Sequence, residues 1–223
     1  MELPIVKPSE ELAYLVGVMQ GDGCLYKYKD GKKKKQYTRI VLMLGAKDIE
    51  MVKTARDIFA KLFEREIRIC KKSTGIFDFH ASVKTLLPTF KELDIDFKDP
   101  PKPPVWSKVD VKFFGPYLAG LIIDADGTVA ITRPKYPQCR IRITSGHQQI
   151  ELEKVVESIL GCCVAVYKIK KFSKKWGVWG SGFDLDFVLS SKIILKFTKY
   201  VLPHIQIPRK RERIIKYLEL ISN

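Results

Sequence analysis

The sequence predicts an α+β chain of two pseudo-symmetric αββαββα repeats with antiparallel sheets, and three observations carry that prediction. First, the stretch YLVGVMQGDG, Tyr14 to Gly23, returns as YLAGLIIDADG, Tyr117 to Gly127, each an apolar helical run ending in an acid and a glycine. Second, the same order of strand-like and helical runs follows each acid. Third, FKDPPKPPVWSK lies between the two halves, where Pro100, Pro101, Pro103 and Pro104 set a stiff extended connector. The boundaries are therefore 1–97 for the first repeat, 98–109 for the linker, and 110–223 for the second repeat with a C-terminal helix.

Taken in order, the first apolar helix is followed by CLYKYK and YTRIVLML, two strand-like runs joined by DGKKKK. DIEMVKTARDIFAKLF is helical, with Asp48 as candidate N-cap and apolar residues at helical spacing. EIRICKK and GIFDFHAS supply two more strands, and VKTLLPTFKEL a helix broken or kinked by Pro88. The second half offers GTVAITR, QCRIRITS, the helix QQIELEKVVESIL, then VAVYKIKKF, FDLDFVLS and the helix KIILKFTKYVL. IPRKRERIIKYLEL closes the chain as a basic amphipathic helix with Pro208 in its first turn.

Composition narrows the class. The chain has 223 residues, 46% of them hydrophobic, which excludes a disordered polymer. No apolar run reaches the roughly 20 residues that span a bilayer, and the N-terminus lacks a secretory pattern, so an intracellular protein without a membrane partner is expected. Five cysteines without a C-x-x-C pair read as reduced, small core residues, and three histidines at no ligand spacing argue against zinc. Forty Lys plus Arg against 25 Asp plus Glu leave a formal charge of +15, which favours a polyanionic partner, nucleic acid above all.

Ala13, Gly17 and Gly21 recur every fourth residue and put three small residues on one face of the first helix. Two such helices can pack side by side with close backbones, bringing Asp22 near Asp124 or Asp126. Paired carboxylates repel unless a cation lies between them. A hard divalent ion such as Mg²⁺ fits, since it accepts one or two carboxylates and fills its remaining positions with water and phosphate oxygens. Such a pair suits phosphodiester hydrolysis.

Both stretches resemble the motif of the LAGLIDADG homing endonucleases, and the duplicated basic chain resembles a single-chain, two-motif member, of the intron- or intein-associated kind. The second copy spells Leu118-Ala119-Gly120-Leu121-Ile122, then Asp124-Ala125-Asp126-Gly127, with one extra isoleucine. The resemblance implies motif helices at the repeat interface and antiparallel sheets forming a DNA-binding saddle. It implies a monomeric, site-specific double-strand DNA endonuclease using Mg²⁺ or Mn²⁺, with Ca²⁺ occupying the site without supporting cleavage. It also implies metal binding by Asp22 and Asp126, aided by the carbonyls of Gly21 and Ala125.

Five steps separate Gly17 from Asp22, but six separate Gly120 from Asp126. A π-bulge or a tightened last turn absorbs the extra residue; failing that, Asp124 takes the metal role. Basic groups beside the scissile phosphates are sought in Arg209, Lys210, Lys102 and Lys108.

The strands supply the candidate DNA surface. In QCRIRIT, Gln138, Arg140, Arg142 and Thr144 share one face. Arg133 and Lys135 extend it, Lys27, Lys29 and Arg39 take comparable places in the first repeat, and Arg68, Lys72, Lys168 and Lys170 lie on later strands. Arg reads guanine bidentately and Gln reads adenine, while other cations touch phosphate. The hairpin tips GKKKK and KKFSKKWG would attract the backbone by counterion release. The halves differ at most strand positions, which suits a long asymmetric target. Two other readings fit the same sequence: an intron RNA maturase, and a regulator that binds DNA without cutting it.

Overall fold

The computed structural model describes residues 5–30, 37–97, 101–133, 135–173 and 178–222. In the first repeat, α1 (Glu10–Gly21) leads into β1 (Gly23–Asp30), β2 (Tyr37–Ala46), α2 (Ile49–Phe63), β3 (Ile69–Lys71), β4 (Phe77–Ser82) and α3 (Leu87–Glu92). A one-turn helix, α4 (Val105–Lys108), precedes the second repeat. That repeat runs α5 (Val111–Leu118), β5 (Gly127–Thr132), β6 (Gln138–Ser145), α6 (Ile150–Leu160), β7 (Ala165–Ser173), β8 (Val178–Val188) and α7 (Ser191–Tyr200), and α8 (Pro208–Ser222) ends the chain. The strands form two four-stranded antiparallel sheets with the same order, β1-β2-β4-β3 and β5-β6-β8-β7. The duplicated pattern in the sequence is thus a duplicated topology.

Each helix forms for a local reason. Ser9 caps α1 by accepting from the Leu12 amide at 3.1 Å, and Glu10 and Glu11 sit in its first turn, where negative charge is favoured. Pro88 stands in the first turn of α3, where its missing N–H costs nothing, and a 3₁₀ turn, Lys84–Leu86, precedes it. Asp48 occupies the N-cap position of α2 but makes no capping bond. Its carboxylate turns instead to Arg209, accepting from Nη2 at 2.8 Å.

Leu12 through Met19 are all buried, apolar on every side. A helix of that kind belongs inside a core. One hydrophobic core joins both repeats, with Leu15, Met19, Phe59 and Phe79 from the first and Phe114, Leu121, Ile141 and Phe187 from the second.

Two expectations change here. The connector is not extended throughout: among its described residues Val105–Lys108 is helical, Pro101, Pro103 and Pro104 are buried, and Trp106 Nε1 donates to the Leu93 carbonyl at 2.8 Å. Among the cysteines only Cys139 is a core residue; Cys24, Cys70 and Cys163 are exposed, because strand alternation turns Cys24 and Cys70 away from the apolar face. Residues 31–35 and 174–177, the basic hairpin tips together with Trp176, lie outside the described residues. Among those described, no helix is long and apolar enough to cross a membrane.

Candidate active site

The two motif helices touch along their glycines. A Cβ placed on Gly17 would meet the Tyr117 carbonyl oxygen and come within 2.9 Å of the Leu121 amide nitrogen. One placed on Gly120 would lie 2.5 Å from the Tyr14 carbonyl oxygen, and one on Gly21 would lie 2.5 Å from Ala125 Cβ. Backbone packs on backbone, reciprocally, about a pseudo-twofold axis.

The same symmetry sets a pair of cross-repeat hydrogen bonds. Tyr14 donates its hydroxyl to Asp124 Oδ2 at 2.8 Å, and Tyr117 donates to Gln20 Oε1 at 2.6 Å. Tyr14 and Tyr117 are equivalent positions, as are Gln20 and Asp124. Each tyrosine thus reaches the residue two places before the other repeat's terminal acid.

The extra residue of the second motif is absorbed in a π-helical turn, Ala119–Ala125, which continues α5. Its wider winding keeps Gly120 opposite Tyr14 while still delivering Asp126 to the helix end, where Asp22 ends α1. The glycine after each acid is required by the close approach of its own helix: a Cβ on Gly127 would collide with the Ile122 carbonyl oxygen, and one on Gly23 with that of Met19.

Asp22 is partly buried and Asp126 exposed. Burial, and then the like charge of Asp126, push the Asp22 carboxyl up from 3.8 to about 6, with Lys210 opposing the rise. Asp22 and Asp126 are therefore within electrostatic reach of one another, flanked by Gly21 and Ala125.

Asp124 has a different occupation. It is 1% exposed and accepts from Tyr14 and from the backbone amides of Gln206, at 2.7 Å, and Ile207, at 3.1 Å. Desolvation by burial lifts it too, from 3.8 to about 6. It ties α1, the π turn and the segment leading into α8 into one knot. Replacing it by alanine orphans three buried donors, each at a cost of about 1 kcal/mol or more. We expect Asp124→Ala to lower stability in denaturant melts by about 1–2 kcal/mol, since relief of the buried charge offsets part of the loss of the three bonds.

Lys210 is 5% exposed, and its ammonium donates to the carbonyls of Ile123, Asp124 (3.2 Å) and Ala125 (3.3 Å). These are acceptors at the C-terminal end of the π turn, so α8 caps the motif helix from outside. Burial lowers its pKa, and Asp124 partly restores it. Of the other basic candidates, Arg209 and Lys108 have acidic partners, and Lys102 is held near the motif helix by its backbone. Arg209 pairs with Asp48, Lys108 with Glu151, and the Lys102 carbonyl accepts from Gln20 at 2.9 Å.

Asp22 implies a signed pH effect. A carboxyl raised from 3.8 to about 6 on folding binds a proton in the folded state, and not in the unfolded one, between roughly pH 6 and 4. Its unfavourable contribution is complete above pH 6 and disappears as pH falls through that window. In chelator, the stability difference between wild type and Asp22→Asn should therefore shrink from pH 7.5 to pH 5, measured by thermal melts across that range. A constant difference would contradict the burial argument.

The strand register sorts the candidate surface residues. On the second sheet, Thr128 lies opposite Arg142, Ala130 opposite Arg140, and Thr132 opposite Gln138, so these form one face with Thr144. Lys168 and Lys170 fall on the other face, opposite Phe183 and Ser181; Tyr167 and Ile169 take the arginine face instead. On the first sheet, Arg39 lies opposite Tyr28, whereas Lys27 and Lys29 lie opposite Ile40 and Thr38 and share the face of Leu25 and Leu42. These four lysines are thus turned away from the surface expected for them, since a strand reverses its face at every residue.

Lys72 reaches Asp78 at 2.6 Å. Arg68 is exposed just ahead of β3, and Arg133 adopts φ 56° after β5, with Lys135 over the Tyr136 ring. Three buried acids that no motif singles out also lie on these polar faces: Asp78, Asp184 and Asp186. The alternation in FDLDF was the available signal, since it puts both aspartates opposite the apolar side.

No family model and no curated protein matches the sequence. Solved structures do match. The crystal structure of the homing endonuclease I-DmoI in complex with DNA and Ca has a TM-score of 0.61 at 18% identity, covering 93% of this chain and 97% of that one. I-DmoI in complex with DNA and Mn gives 0.58 at 19% identity, covering 87% and 97%. The meganuclease I-SmaMI bound to uncleavable DNA gives 0.62 at 13% identity, covering 95% and 90%.

Proposed function

From a chain that has the fold of the LAGLIDADG homing endonucleases, we propose a site-specific endonuclease that hydrolyses both strands of duplex DNA at a long asymmetric site, as a monomer and with a divalent ion. The observation that carries this reading is the pair Asp22 and Asp126, brought together at the shared end of the two interface helices. A carboxylate costs least there when its charge is compensated, and Asp22 is raised by burial and by its partner. The donors are hard oxygens: two carboxylates with the Gly21 carbonyl beside them, while the Ala125 carbonyl also accepts from Lys210. They suit Mg²⁺ or Mn²⁺, with Ca²⁺ as a non-supporting occupant.

A bound ion would supply Lewis acidity toward the phosphodiester and the water that attacks it. The chain's own residues supply the rest. Asp22 and Asp126 hold the charge in place, the glycine contacts fix their separation, and Lys210 holds the carbonyl end of the π turn. Both first strands start one residue beyond an acid, so the polar sheet faces begin at the cleavage centre. Arg140, Arg142, Gln138 and Arg39 would line the DNA there.

The test is incubation of wild type, Asp22→Asn and Asp126→Asn with a randomised duplex library and Mg²⁺, followed by sequencing of cut ends. Cutting at one long site by wild type, lost in both variants, is expected. Binding with no cut at any temperature or divalent metal would refute the enzyme reading and favour a regulator; splicing of intron RNA without DNA cutting would favour a maturase.

A further inference from the structure

Arg140 and Arg142 stand two residues apart on one strand, yet the structure treats them differently. Beneath them lie Asp184, 7% exposed, and Asp186, 2% exposed. Buried carboxylates require partners, and these two find theirs in the arginines. Asp186 Oδ1 accepts from Nε and Nη2 of Arg140, both at 3.1 Å, while Oδ2 accepts from Nε and Nη2 of Arg142 at 2.9 and 2.8 Å. Each guanidinium is thus gripped along its Nε edge.

The other edge separates them. Nη1 of Arg142 lies 3.3 Å from Asp184 Oδ2, and Asp184 Oδ1 accepts from Thr144 at 2.6 Å. Arg142 therefore spans both acids. Neither aspartate takes Nη1 of Arg140. Both arginines line an open concavity of about 450 Å³ with Thr128, Ala130 and Thr132, Arg140 35% and Arg142 43% exposed, so what separates them is the Nη1 edge, held by Asp184 in Arg142 and by neither aspartate in Arg140. Small residues across β5 leave room beside that outer edge.

Guanine offers two acceptors, O6 and N7, in one plane, and the Nη1–Nη2 edge of a held guanidinium matches them. We propose that Arg140 is the guanine-specifying residue of the second repeat, with Asp186 its positioning residue and Arg142 a strut. The assignment rests on the DNA-binding reading above.

Among the described residues, the first repeat has no counterpart of this pair at the matching positions. Setting Gly23 on Gly127 carries the register to Val41 at the place of Arg140, Met43 at that of Arg142, and His80 at that of Asp186. Asp78, matching Asp184, is held by Lys72 and His80. A lysine is a point charge without a fork, so this arginine–aspartate pairing is confined to the half-site under the second repeat.

The experiment selects duplexes from a randomised library by binding alone, in chelator and at fixed salt, using the full chain as wild type, Arg140→Lys, Asp186→Asn and Arg142→Lys. Wild type should enrich a site with one guanine that both Arg140→Lys and Asp186→Asn relax by about tenfold or more. Preferences elsewhere should stay in place, and Arg142→Lys should relax that guanine less than either. A purely structural role for Asp186 would instead lower the melting temperature and weaken all positions together. Guanine preference persisting in Arg140→Lys, or an even loss at every position, overturns the assignment while leaving DNA binding standing. Failure of wild type to enrich any duplex overturns the DNA reading and the assignment with it.

Discussion

Gly17→Ala is expected to destabilise the protein by about 3 kcal/mol or more, although glycine to alanine in a helix ordinarily stabilises by up to about 1 kcal/mol. The sign reverses because the new methyl would press on the Tyr117 carbonyl oxygen and the Leu121 amide nitrogen of the facing helix. Those are backbone atoms, which cannot rotate aside as a side chain would. The helices must separate, and with them the Tyr14–Asp124 and Tyr117–Gln20 bonds that bridge the repeats. Against a typical total stability of about 5–15 kcal/mol, the loss is large. Gly146→Ala is the control, since a Cβ there meets nothing within 4 Å. Denaturant melts of the two variants decide the matter: equal midpoints would mean that the helices are not in backbone contact.

The second large effect falls on activity. Asp22→Asn should reduce cleavage on the order of 10³-fold, because it removes one of two carboxylates that hold the ion, and Lewis-acid stabilisation supplies several kcal/mol at about 1.4 kcal/mol per tenfold. DNA binding in chelator should change only a few-fold. The same variant should be more stable than wild type at pH 7.5. Raising Asp22 from 3.8 to about 6 corresponds to an upper bound of roughly 3 kcal/mol, which solvent around a partly exposed group reduces to about 1–2 kcal/mol. At this chain size that is a gain of roughly 2–8 °C in Tm without metal. Loss of activity combined with gain of stability distinguishes a functional acid from a structural one. Asp124→Ala, with three donors to orphan, must move stability the other way.

Much of this was legible before any coordinates. The repeat, the element order and the sheet-forming alternation follow from periodicity, because apolar spacing of 3.6 or 2 decides which face a core can cover. Glycines at every fourth position marked the interface, and the five-against-six spacing marked where one helix had to widen. Aligning DADG with QGDG favoured Asp126 and set Asp124 opposite Gln20, but the burial of Asp124 was not legible. Both acids end the same helix, and what separates them is the arrival of Tyr14, Gln206 and Ile207 from 80 or more residues away.

Four strand lysines take the opposite face for a related reason. Lys27, Lys29, Lys168 and Lys170 look equivalent to Arg39 and Arg140 as basic residues on strands. Register alone, set by hydrogen bonding to a neighbouring strand, decides which face each one takes.

The sequence by itself thus determined the duplicated α+β architecture, the interface helices and the acids that end them, since these depend on local period and residue size. Only the tertiary structure decided which carboxylate is buried as a knot and which arginine keeps an open edge. Those outcomes depend on which distant donors reach a given oxygen, and no local pattern encodes that distance.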